Sequence, residues 1–133
     1  MDSVVRLVTL IDADDGFSSD RQISISARHE AELADGRRVL LLDDRGWSSS
    51  GPSGIWSSTS VEDLESTART VVGPDEPFAG HTSADMAAGH WAALAGRLAH
   101  HGIAVDAALL ERLPHDVVLS DGLRERLARA RQR

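Results

Sequence analysis

At 133 residues without a cysteine, the chain is long enough to bury a core as one domain, and neither disulfides nor thiolate metal sites are open to it. All fourteen basic residues are arginine, against 21 Asp and Glu, for a net charge of −7. With no lysine, a P-loop, a Schiff base and a serine–lysine dyad are excluded, so any site must draw on Asp, Glu, His, Ser, Thr, Arg and the backbone.

The first third reads as antiparallel sheet. Val4 to Ile11 is a β-branched apolar run that ends in Asp-rich turn chemistry. Gln22 to Leu33 alternates, with Ile23, Ile25, Ala27, His29, Ala31 and Leu33 on one face. Asp35-Gly36 predicts a two-residue hairpin turn, which returns the chain along Arg38 to Asp43 and sets Ala31 opposite Leu40 and His29 opposite Leu42. The run Val39 to Leu42 is apolar on both sides, the pattern of a strand covered on both faces or central in its sheet. Folding the Ser/Gly stretch 46–60 about Ser50 to Ser53 puts Trp47 across from Trp56, where the rings can stack; an irregular loop is the alternative.

Helices follow. Ser60 with Asp63, and Thr82 with Asp85, are spaced as capping boxes and open helices that Gly73-Pro74 and Gly102 end. Between them, residues 73–80 read as a linker. Along the second helix, Ala87, Trp91, Leu94 and Leu98 form a core-facing stripe. Asp106 caps a third helix, with Val105 and Leu110 as its staple, and Pro114 stops it. Ser120 or Asp121 starts a last helix, and residues 122–133 carry five Arg against one Glu, leaving −11 on the rest of the chain. Such a tail either docks on its own acidic body or lies in solvent.

The expected architecture is therefore α+β: an N-terminal antiparallel sheet of about three to five strands, then three or four helices packed on one face. Residues 1–133 form one domain, β-rich over 1–60, helical over 61–121 and basic over 122–133. No apolar run approaches the roughly eighteen residues of a membrane span, and no basic leader precedes an apolar stretch, so a cytoplasmic location is expected. The joint absence of Lys, Asn and Tyr fits a gene of high GC content, which makes abundant arginine a weak sign of nucleic-acid binding. The acidic body also repels phosphate backbones, so nucleic acid is not an expected partner.

Four of the six histidines fall within residues 81–102. His90 and His101, eleven residues apart, point the same way but lie about 16 Å apart along a helix, too far for one metal. His100, His101 and Gly102 instead read as a C-terminal cap, where imidazolium complements the helix dipole. His29 is expected against Leu42 on the apolar face, with one hydrogen bond. His115 is expected in a loop.

Three sets of residues remain. Asp12, Asp14 and Asp43, with Asp15, Asp20 and Asp44 nearby, fall at one rim of a simple meander, where oxygen ligands suit Mg²⁺ or Ca²⁺. Neither an EF-hand loop nor a nucleophile elbow fits: Phe17 stands where the first needs Gly, and Ile55 where the second does. Trp47 and Trp56 offer stacking surfaces, His90 borders the stripe, and Arg45 can clamp an anion. The first expectation for function is a non-catalytic protein-interaction or regulatory module whose acidic body meets a basic protein partner, with no cofactor; the oligomeric state stays open. The alternatives are a divalent-metal-dependent enzyme acting on a phosphate-containing substrate through Asp12, Asp14 and Asp43, and a small-ligand binder built on Trp47, Trp56 and His90.

Overall fold

The computed structural model describes residues 3–131; the last two residues of the basic tail lie outside them. Strands β1 (Val4–Ala13), β2 (Gln22–Leu33) and β3 (Arg38–Ser50) form an antiparallel meander. A fourth strand, β4 (His115–Leu119), adds parallel to β1, so the sheet order is β3-β2-β1-β4. Between β3 and β4 come a 3-10 helix at Ile55–Ser58 and helices α1 (Val61–Val71), α2 (Ser83–His100) and α3 (Ala107–Arg112). Helix α4 (Asp121–Arg131) follows β4. The fold is α+β, and no helix among the described residues is long and apolar enough to cross a membrane.

Three features differ from the sequence pattern. The strands do not all precede the helices: His115, expected in a loop, opens β4. Pro114 ends α3 without blocking a strand, because its carbonyl accepts from the Leu7 amide at 2.8 Å and seeds the parallel pairing. A parallel neighbour needs a long crossover, and the helical segment supplies it. The apolar run Val39 to Leu42 also lies on an edge strand, not a central one. Bulges on either side of His29 let Leu41 and Leu42 both turn toward the core, at 0 % and 9 % exposure. His29 does face Leu42, but Ala31 pairs with Val39, one residue from the expected register. The cause lies in the turn. Leu33 accepts from the Gly36 amide at 2.9 Å with Gly36 at φ 90°, so the hairpin has three loop residues rather than two.

The helix ends follow the sequence closely. Both capping boxes form, Ser60 with Asp63 and Thr82 with Asp85. At the end of α2 the amides of Gly102 and Ile103 donate back to Ala99 and Leu98 with Gly102 left-handed at φ 77°, a Schellman closure that also delivers Ile103 to the core. The Ser120 hydroxyl accepts from the Leu123 amide at 3.1 Å and starts α4.

One face of the sheet is covered. All six alternating residues of β2 are buried there, together with Leu7 and Ile11 of β1, Leu64 and Ala68 of α1, Leu94 and Leu98 of α2, and Leu123 and Leu127 of α4. Trp91 is half-buried against the same cluster. Gly46 marks a close approach on β3: a Cβ there would stand 2.6 Å from the Ile25 carbonyl oxygen. Gly46→Ala is expected to cost about 1–3 kcal/mol, because backbone must move to admit the methyl group; urea unfolding checks it, and an unchanged midpoint would contradict it.

Among the described residues no helix lies over the other face, which carries an ion-pair lattice. Arg6 bonds Glu32 and reaches Asp116 at 2.6 Å, Arg38 lies 3.7 and 3.5 Å from Glu30 and Glu32, and Arg28 is 2.9 Å from Glu30. Beside these pairs Val8 is fully buried although it lies outside the main core. The carboxylates flanking Arg6 hold its guanidinium firmly protonated, and Arg6 in turn keeps Glu32 below the usual carboxylate range.

Candidate functional site

Two places concentrate polar groups: a buried bridge under the helices and a cleft on the uncovered face. The bridge is centred on Thr9 of β1, which is fully buried. Its hydroxyl lies 2.9 Å from His29 Nδ1 on β2 and 2.6 Å from His115 Nε2 on β4. The register sets this up, since Thr9 pairs with His29, and His115 pairs with Leu7 one pleat away on the same face. The two imidazoles meet edge to face at 5.1 Å. A threonine hydroxyl has one proton, so one imidazole donates to its oxygen while the other accepts from it.

Burial pushes the His29 imidazole down to about 3, and the neighbouring His115 and His90 rings add to the effect. Burial likewise lowers His115, helped by Arg69, and lowers His90, helped by Arg45. All three rings are therefore neutral at neutral pH. Among the described residues no carboxylate orients His29, and with Thr9 sealed from solvent the bridge joins three strands inside the fold.

His90 and Arg45 come close together on the helical side. Arg45 reaches Asp75 at 2.9 Å and the Val71 carbonyl at 3.5 Å, tying β3 to the end of α1. His90 stacks edge to face on Trp91 at 4.9 Å, and its Nε2 is buried without a hydrogen-bond partner. Trp47 and Trp56 do not face each other. Trp47 lies on β3 and pairs with Ile25 of β2, whereas the chain beyond Ser50 does not return as a strand and Trp56 sits in the 3-10 helix. Trp56 is 5 % exposed, donates its indole N–H to the Ser19 carbonyl at 3.0 Å, and has the Arg126 guanidinium 4.5 Å over its ring.

The cleft lies at the acidic end of the meander. It has a volume of about 520 Å³ and is lined by Leu10, Asp12, Ser26, Arg28, Asp43 and Ser120, among others. Asp12 accepts from the Ser120 hydroxyl at 2.5 Å and from the Ala13 amide at 2.9 Å. Asp12 and Asp43 thus share one cleft, while Asp14 stands in the turn after β1. Among the described residues no three His, Asp or Glu side chains converge on one cation position. The basic helix folds back on its own body, as one of the two sequence readings had it: Leu123 and Leu127 are buried and Arg126 pairs with Asp15 at 2.7 Å. Thr9 and Arg126 carried no sequence signal of their own, and Ser120 read only as a helix start, because each acts through a partner more than a hundred residues away or on another strand. No protein-family model, curated protein or solved structure matches the chain.

Proposed function

We propose that the protein is a non-catalytic interaction module that holds an arginine- or lysine-bearing segment of a protein partner in the cleft between Asp12 and Asp43. One observation carries the reading: two carboxylates line a 520 Å³ recess on the sheet face that no helix covers. The one arginine in that recess, Arg28, is already paired with Glu30 at 2.9 Å, which leaves the recess negative toward a cationic guest. The charge of the chain as a whole, −7, steers such a partner toward it.

Titration of a labelled oligo-arginine peptide tests this, with Asp43→Arg and Asp12→Asn as variants. Asp43→Arg is expected to weaken binding about tenfold or more and to flatten its salt dependence at the same time. Binding that ignores salt, or that survives both substitutions, would refute the proposal.

A further inference from the structure

A second cavity lies at the opposite surface of the sheet's acidic end, between α4 and the 3-10 helix. Its volume is about 400 Å³, and Asp20, Gly54, Trp56, Ser57, Arg126 and Arg129 line it with Ala130. That volume lies in the range of small-ligand sites. The two arginines stand three residues apart, which puts them on one side of α4. Arg126 is held in place before any ligand arrives, by the Trp56 ring beneath it and by Asp15 beside it. Arg129 is exposed and has no partner among the described residues. Asp20 on the far wall accepts from the Gly54 amide at 3.1 Å and from the Ser53 hydroxyl, which anchors the loop.

The lining holds two guanidiniums and one carboxylate, and with Asp15 paired to Arg126 it is Arg129 that remains as an unpaired cation in a chain whose total is −7. An unpaired guanidinium in a recess of an acidic protein attracts a small anion but not a polyanion, because the surrounding body repels extended charge. We infer that this cavity binds a small molecule through a single carboxylate or phosphate-monoester group, seated between Arg126 and Arg129. Arg126 orients the oxyanion, since its plane is fixed, and Arg129 closes on it from the next turn of the helix. The site is separate from the Asp12–Asp43 cleft and does not depend on the role proposed for that cleft.

The test follows the Arg Nε–Hε NMR resonances while inorganic phosphate or acetate is titrated in, with chloride keeping ionic strength constant. Arg129→Gln removes the unpartnered cation without touching a folded contact, and Arg112→Gln on α3 removes an arginine outside the cavity. Saturable shifts at Arg126 and Arg129 are expected, weakened about tenfold in Arg129→Gln and unchanged in Arg112→Gln. Response to phosphate alone assigns a phosphate monoester, to acetate alone a carboxylate, and to both the shared oxyanion chemistry. Shifts no larger than those in chloride, or equal losses in the two variants, would overturn the inference.

Discussion

Replacing Thr9 by Val is expected to destabilise the fold by about 2–4 kcal/mol, although valine has nearly the same shape and is more apolar. The loss comes from the histidines. Without the hydroxyl, His29 Nδ1 and His115 Nε2 lose the partner they hold at 2.9 and 2.6 Å. A buried polar group left unpaired costs about 1–3 kcal/mol, with His115 contributing less because it is only half-buried. Thr9→Ser keeps the hydroxyl and removes one methyl, a change of about 1 kcal/mol. Denaturant unfolding of the two variants should therefore rank serine above valine, opposite to a simple hydrophobicity ranking. Equal stability of Thr9→Val and the unmodified protein would show that the bridge does not hold the strands together.

Acidification from pH 7 to pH 5 should remove about 2 kcal/mol through His29 alone. In the unfolded chain this imidazole takes up a proton near 6.5; in the fold, burial lowers that to about 3. Folding thus favours the neutral ring. The contribution is fully present above pH 6.5, falls by about 1.4 kcal/mol per pH unit as pH drops below it, and levels off near 3. His115 and His90 are lowered too, so their effects have the same sign and steepen the loss. His29→Leu separates this from general acid denaturation, since it fills the apolar site while Thr9 keeps His115. Urea midpoints at pH 7.5 and pH 5 should converge in that variant by about one proton's worth of slope. A full acid loss in His29→Leu, or none in the unmodified protein, would count against the assignment.

Much of the architecture was legible in local sequence because its causes are local. The alternation of Ile23 to Leu33 names the buried face of β2, since side chains on a strand point to opposite sides in turn, and all six are buried. Ser60, Thr82 and Asp106 start helices because a side-chain oxygen can satisfy an amide two or three residues on, and each does so. Gly102 ends α2 because it adopts the left-handed turn without strain. The meander likewise brings the end of β1 and the middle of β3 to one end of the sheet; that Asp12 and Asp43 line one cleft there was not in the sequence.

What the sequence left undecided depends on distance along the chain. His115 looks like a loop residue beside Pro114, and only the unfilled edge of β1 makes it the start of a strand. Trp47 and Trp56 share a Ser/Gly-rich stretch that reads as a hairpin, but β2 continues to Gln22 and offers β3 a ladder as far as Ser50. That longer pairing wins, because each added residue brings its backbone groups a partner that a free loop would lack. Thr9 gives no local hint of its role: a hydroxyl in an apolar strand is ordinary until the sheet order sets two imidazoles on either side of it. The local pattern thus determined the elements and their buried faces, through periodicity and capping. Only the tertiary structure decided which polar groups are sealed together and which line a cavity, because those contacts join residues that the chain holds up to 111 positions apart.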